Sequence, residues 1–254
     1  MQGLARARER EILDALGETG SGRVPDLSRR LGVTEETIRR NLKRLEHMGL
    51  VERVHGGALL RGSGREPPFS ERFAQNPGPK RAIAARLAAL IPDGASLFLD
   101  VGSTTAYVAQ ALRGHRGLTV VTNSLPVAQT LLAAREARVF MAGGEVRAHD
   151  GGAFGAEALA FVRQFRVDFA ILSVAAVDEC GFLLQDLREA EFSRAIVGCA
   201  ERAIVAADGS KFGRPAPIRV AEPEVFDMLV TDAVPPAPLD AMLRAAGVEV
   251  VLAA

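Results

Sequence analysis

The 254-residue sequence predicts an α/β protein in two parts, a small helical module closed by a hairpin and a larger domain built on a largely parallel sheet. Three observations lead there. Thr34 to Glu46 (TEETIRRNLKRLE) sets Ile38, Leu42 and Leu45 at helical spacing, with Thr37, Arg40, Lys43 and Arg44 on the other side. From Arg61 to Pro79 (RGSGREPPFSERFAQNPGP), Gly, Pro and Ser crowd together and periodicity vanishes. Beyond that stretch, apolar runs of strand length alternate with helical patterns of roughly ten residues. The expected division is a module over 1–60, a linker over 61–79 with room for one turn of helix from Ser70 to Gln75, and an α/β domain over 80–254.

In the module, helix one is expected from Leu4 to Glu18, with Ile12, Leu13 and Leu16 on one face and Gly17 and Gly20 near its end. Pro25 suits the first turn of helix two, where a missing N–H costs nothing. Leu27 and Leu31 form an i,i+4 apolar pair, and Gly32 permits the turn that follows. Thr34 is placed to cap helix three through its hydroxyl, with Thr37 at the position where a full capping box would carry Glu or Gln. Gly49 is expected to end that helix. Val51 to Leu60 (VERVHGGALL) reads as a hairpin turning at Gly56-Gly57.

A basic helix face alone is often only wet surface. Three helices, a turn and a wing in register make a winged helix-turn-helix, which docks a helix on double-stranded DNA. Thr34, Thr37, Arg39, Arg40, Asn41, Lys43 and Arg44 are the expected DNA residues of helix three. Arg53 and His55 on the wing are expected to reach phosphates or a minor groove.

Composition narrows the alternatives. Net charge is zero overall, but residues 1–61 carry 12 basic and 9 acidic residues (+3), leaving 19 and 22 (−3) in the rest. An excess this small makes local placement of arginine, rather than a long-range field, the basis of binding. No run of about 18 apolar residues is present and the N-terminus lacks a signal-peptide core, so neither a membrane span nor export is expected. Two cysteines, Cys180 and Cys199, do not make a disulfide framework, which fits a reducing cytoplasm. The four histidines are scattered, so no metal centre is expected, and no cofactor motif is seen.

In the larger domain, helices are expected over 80–90, 104–112, 125–134 and 190–200. Strands are expected over 96–101, 118–122, 137–142, 169–175, 203–207, 228–231 and 248–252. Ligands of such sheets collect at the carboxyl ends of strands. Asp100-Val-Gly-Ser-Thr-Thr105 is the most telling of these loops. Gly102 allows close backbone approach, and Ser103, Thr104 and Thr105 bring hydroxyls and N–H groups to a helix N-terminus. No Gly-Lys-Ser/Thr follows, so this is not a Walker loop. Phosphate cradle and plain capping turn both remain open for it.

Lys211 is one of only three lysines against 28 arginines and stands beside Asp208, Gly209 and Ser210. A compact ammonium at a ligand and a surface lysine are both open readings. Asp186 and Glu189 enter a helix, where they either accept a ligand's hydroxyls or complement the helix N-terminus. Thr122-Asn123, Gly143-Gly144 and Asp178 stand at further strand ends.

These residues carry a resemblance. VPDLSRRLGVTEETIRRNLKRLEHMGLVERVHGGALL resembles the N-terminal module of the DeoR family of bacterial transcriptional repressors. FLDVGSTTAYVAQAL, VTNSLPVAQTL, MAGGEVRAHDGGAFG and ADGSKFGR resemble that family's effector domain, and the likeness spans nearly the whole chain. It implies a sensor domain similar to ribose-5-phosphate isomerase and CoA-transferase folds. It also implies a phosphorylated sugar or polyol at Gly102 to Thr105, supported by Thr122, Asn123, Gly143, Gly144, Asp186, Glu189 and Lys211. AGGEVRAHDGGAFG with FVRQFRVDFAIL points within the family to glycerol 3-phosphate.

Three positions depart from the family pattern. Asn41 replaces the usual Asp of Ile-Arg-Arg-Asp-Leu, removing a negative charge near DNA. Ser173-Val-Ala-Ala-Val-Asp178 replaces Gly-x-Ser-Gly-x-Asp, narrowing the presumed pocket. Gly102-Ser103 replaces Gly-Thr and keeps the hydroxyl.

The expected protein is a cytoplasmic, homo-oligomeric repressor, a dimer or tetramer, that leaves its operator when the effector binds. The competing class is a sugar-phosphate isomerase with an appended DNA module, with Asp178, Asp186 and Glu189 as candidate general bases. The fold does not decide between binder and catalyst.

Overall fold

A computed structural model describes residues 2–19, 21–48, 50–54, 56–60 and 67–253. Gly20, Gly49 and His55, to which helix ends and a wing contact were assigned, lie outside the described residues, as does the 61–66 part of the expected linker. The chain divides into two compact units, Met1–Pro67 and Pro68–Ala254.

The first unit holds α1 (Gln2–Thr19), β1 (Ser21–Arg23), α2 (Val24–Leu31), α3 (Glu35–His47), β2 (Val51–Val54) and β3 (Gly57–Leu60). Ile12, Leu16, Leu27, Ile38, Leu42 and Leu45 meet in one core, so the apolar stripes of the three helices converge as their periodicity requires. Gly32 turns the chain after α2 at φ 64°. The sequence overlooked β1, which lies along β3 and makes the wing a three-stranded sheet in the order β1-β3-β2. The wing turn is also displaced: Val54 pairs with Gly57, which is a strand residue rather than part of the turn. A Cβ on Gly57 would stand 2.3 Å from the Gly22 carbonyl oxygen, so glycine is what lets β1 approach.

The second unit opens with α4 (Phe69–Ala74), inside the range expected as linker, and α5 (Pro77–Leu90), which begins three residues before the helix expected over 80–90. The Phe73 ring stacks on Tyr107 at 4.6 Å, and Arg72 and Lys80 are buried, so packing takes this segment into the domain. There follow β4 (Ser96–Leu99), α6 (Ser103–Ala111), β5 (Thr119–Thr122), α7 (Leu125–Leu131), β6 (Arg138–Met141), β7 (Glu145–Val146) and β8 (Ala153–Phe154). The remainder is α8 (Ala156–Val162), β9 (Val167–Ser173), β10 (Ala176–Asp178), β11 (Gly181–Leu184), α9 (Leu187–Val197), β12 (Ala200–Ala206), β13 (Ile218–Arg219), β14 (Met228–Thr231), α10 (Ala237–Ala245) and β15 (Glu249–Leu252).

Seven strands form one wholly parallel sheet in the order β15-β14-β12-β9-β4-β5-β6. Successive strand residues point to opposite faces. Leu97, Leu99 and Ile171 thus pack under α5, α6 and α7, while Phe98, Ala170 and Leu172 pack with α8, α9 and α10. A sheet covered on both faces explains why its strands read as continuous apolar runs. Strand order reverses between β4 and β9, and the ends of those two strands bound the crevice where open α/β sheets hold ligands.

Candidate functional site

On the first unit, Thr34 caps α3 by accepting the Thr37 N–H at 3.3 Å, and the two hydroxyls lie 3.0 Å apart. The Thr37 side chain thus meets the capping hydroxyl, as a half-box allows. Thr34, Arg39, Arg40, Lys43 and Arg44 are exposed on α3, Thr37 is half-buried, and Arg53 is exposed on the wing. Arg39 is engaged by Glu35 at 2.5 Å and Glu36 at 3.9 Å, and Arg44 approaches Glu9 at 3.8 Å. Asn41, expected among the DNA residues, does not stand on the basic face. It is only 4% exposed, and its Nδ2 donates to the Thr37 carbonyl at 2.8 Å. Its position one turn from Ile38 and beside Leu42 turns it toward the core instead of the basic face.

On the second unit, the crevice begins at Asp100, buried at the end of β4. Its carboxyl oxygens accept the Ser173 N–H at 3.1 Å each, joining the ends of β4 and β9. Burial pushes the Asp100 carboxyl well above the usual carboxylate range, against the opposing pull of the Ser173 N–H. Gly102 precedes α6, and Ser103, Thr104 and Thr105 form its buried first turn. Thr105 Oγ1 lies 2.9 Å from the Asp100 carbonyl and 3.0 Å from that of Gly102, so this hydroxyl fastens the turn rather than facing out.

Thr122 and Asn123 end β5. Thr122 Oγ1 donates to Leu99 O at 2.6 Å and accepts the Ser124 N–H at 3.0 Å, a bracing role between neighbouring strands. Asn123 Nδ2 donates to Ala153 O at 3.2 Å. Gly143 and Gly144 follow β6 and are exposed. Gly144 adopts φ 118°, and a Cβ there would stand 3.0 Å from Phe154 O, which sets the start of the β7–β8 hairpin.

That hairpin delivers two residues that the sequence reading passed over. Arg147 pairs with Asp150, with Glu189, and with Asp186 at 3.2 Å, while its guanidinium carbon lies 4.4 Å from the Phe154 ring centre. Burial works against the Arg147 charge, but its bonds to Asp150 and Glu189 outweigh that and hold it above its ordinary value. Burial likewise raises Asp150, yet Arg147 and the Gly152 N–H pull it below the usual range. His149 is lowered by burial and by the Arg147 charge. The motif RAHD, with Arg and Asp three residues apart, was the available signal. Nothing local showed that its partners would be the carboxylates near residue 187.

Asp186 takes the helix N-terminus reading. It caps α9 by accepting the Arg188 and Glu189 N–H groups at 2.9 and 3.3 Å, and it also pairs with Arg147. Asp178 accepts the Cys180 N–H at 2.7 Å in the turn between β10 and β11. Lys211 ends a short 3-10 turn, Gly209–Lys211, and is half-buried. The Gly213 N–H donates to Val177 O at 2.8 Å, fastening the Lys211 loop to β10 beside Asp178.

A winged helix-turn-helix and a parallel α/β domain with a polar crevice at its strand reversal define a ligand-responsive DNA-binding regulator. Family models match in both parts, a DeoR-like helix-turn-helix domain over residues 8–63 and a DeoR C terminal sensor domain over residues 75–233. The chain is 39% identical over 230 residues to the glycerol-3-phosphate regulon repressor of Escherichia coli strain K12, covering 90% of this chain and 91% of that one. It is 33% identical over 246 residues to the HTH-type transcriptional repressor CsqR of the same strain, covering 96% and 94%. Ribose 5-phosphate isomerase A of Methanocaldococcus jannaschii is similar over 54% of this chain and 55% of its own, at 16% identity and a TM-score of 0.41. The chain belongs to the DeoR family. It is a DNA-binding transcriptional repressor of that type and not an enzyme, which sets aside the isomerase alternative. Among the described residues no helix is long and apolar enough to cross a membrane.

Proposed function

We propose that this repressor controls a carbohydrate or glycerol catabolic operon and leaves its operator when a phosphorylated polyol or sugar, glycerol 3-phosphate first, occupies the second unit. The observation that carries this reading is the position of Gly102 to Thr105. They open α6 at the strand reversal, where N–H groups and the helix dipole favour an anion. Glu189 and Asp186, held by Arg147, supply acceptors for hydroxyl groups, and Lys211, at the end of its 3-10 turn, supplies a cation for phosphate. A relative whose name specifies glycerol 3-phosphate supports the choice of first effector. The repressor acts as a homo-oligomer in the cytoplasm, and the exposed arginines and Lys43 of α3, with Arg53, meet operator phosphates and bases.

Occupancy releases DNA only if the effector binds the DNA-incompetent arrangement more tightly than the competent one. The test is a thermal-shift series with glycerol 3-phosphate, glycerol, fructose 1-phosphate, fructose 1,6-bisphosphate and inorganic phosphate, followed by operator release with each. A ligand at 100 times its Kd stabilises the native state by about 2.7 kcal/mol. Stabilisation and release by glycerol 3-phosphate but not glycerol is the expected result. Silence across the series overturns the effector class.

A further inference from the structure

We infer that a small cavity behind the end of β4 receives one hydroxyl group of the effector, with Asn123 Oδ1 as the acceptor that recognises it. This rests on the reading of the second unit as a sensor for a phosphorylated polyol or sugar. The cavity holds about 10 Å³, room for roughly one water-sized group. Asp100, Asn123, Glu189 and Ser193 supply its polar lining, and Phe154 and Phe192 wall it, their rings edge-on at 6.3 Å.

Asn123 is fully buried, and its amide orientation is set by the structure. Nδ2 donates to Ala153 O at 3.2 Å, and the Asn123 carbonyl accepts the Ala153 N–H at 2.8 Å. Exchanging the amide ends would put two oxygens face to face. Oδ1 is left with no hydrogen-bond partner among the described residues. An unmet buried acceptor is costly, so the site is completed by whatever brings it a donor.

The lining selects the chemistry of that donor. A phosphate is too large for a cavity of about 10 Å³ and would bring its negative charge against Glu189, so it is turned away. A methyl or methylene leaves Oδ1 unmet. An ammonium would share Glu189 with the Arg147 guanidinium, a like charge already in place. A hydroxyl has the size of the cavity, one donor hydrogen for Asn123, and lone pairs that the Ser193 hydroxyl can meet. Asp100 and Val101 line the cavity and Gly102 follows them directly, so a hydroxyl inside and a phosphate at the start of α6 are neighbouring groups of one short ligand.

The test is calorimetric titration of the full chain with glycerol 3-phosphate, fructose 1-phosphate, inorganic phosphate, and 2-hydroxypropyl and 3-hydroxypropyl phosphate, which each lack one hydroxyl of glycerol 3-phosphate. Asn123→Ala and Ser193→Val are titrated beside the wild type. Ser193→Val fills the cavity without touching the Asn123–Ala153 bonds, so it stands if Asn123→Ala does not fold. Any polyol or sugar phosphate that binds the wild type should bind Ser193→Val about 10- to 100-fold more weakly, with an equal loss in folded Asn123→Ala. Removing the hydroxyl from the ligand should cost the same as filling the cavity. Undiminished affinity in Ser193→Val overturns the assignment while leaving the effector class intact. Absence of binding by every organic phosphate overturns the effector class and this assignment with it.

Discussion

A Cβ atom on Gly102 would stand 1.8 Å from Ser173 Oγ and 2.9 Å from Ser173 Cβ, so the ends of β4 and β9 meet through a residue without a side chain. The contact lies where strand order reverses, beside the first turn of α6. Gly102→Ala is therefore expected to cost about 1–3 kcal/mol through overpacking and to weaken effector binding. Ser173→Gly removes the two closest obstacles, after which Thr105 Oγ1, at 3.0 Å, is the next. The double variant should recover at least about 0.5 kcal/mol relative to the sum of the single costs in denaturant melts. Strict additivity would show that Ser173 is not the obstacle.

Asp100 imposes a pH dependence. Its folded-state pKa is raised above the ordinary 3.8, so above that pH the native state retains a proton that the unfolded chain has lost. Stability from this group is fully present below 3.8 and falls as pH rises through the raised value. Asp100→Asn removes the titration while keeping an oxygen for the Ser173 N–H. The Tm of the variant minus that of the wild type should increase from pH 4 to pH 8. A constant difference would show that Asp100 ionises as an exposed aspartate does.

Arg147 ties the β7–β8 hairpin to the start of α9. Its side chain is 12% exposed and that of Asp150 is 1% exposed, so removing the guanidinium strands a buried carboxylate. Arg147→Ala should cost about 3–5 kcal/mol near neutral pH. The contribution of Asp150 exists above its unfolded pKa and is lost as pH falls through its depressed folded value. The gap between wild type and Arg147→Ala should therefore narrow below pH 3.8 in melts taken across the acid range. Arg147→Lys keeps the charge but not the fork and should fall between the two.

Arg39 and Arg40 are adjacent on α3 but not equivalent. Arg39 is held by Glu35 and Glu36, whereas Arg40 is exposed with no ion pair to an acidic residue recorded among the described residues. Arg40→Ala should weaken operator binding and, for a phosphate contact, reduce the salt slope by about 1. Arg39→Ala should do less in the same titrations. Equal losses would mean that Arg39 leaves its glutamates when DNA arrives.

The sequence by itself determined the class of both units and the frame of the site. The stripe of Ile38, Leu42 and Leu45, the Thr34 cap and Gly32 are local signals, each set by neighbours within a turn or two, and each is realised in the first unit. The continuous apolar runs ending at Leu99, Thr122 and Thr231 marked parallel strands for the same reason. Short strands such as β1, β10 and β13 were not legible, since two or three residues carry no periodicity. Neither α8 nor α10 was read, although Pro238 and the Leu239–Leu243 pair were signals for the latter.

Only the tertiary structure decided which polar residues meet. Arg147 and Glu189 are 42 residues apart, and Asp100 finds the Ser173 N–H across 73. Asn41 turns inward because its neighbours on α3 are core residues, a matter of helix orientation that residue type leaves open. Pairings of this kind depend on strand order and on which helix covers which face. Those are settled by packing both sheet faces at once, and no single segment contains that information.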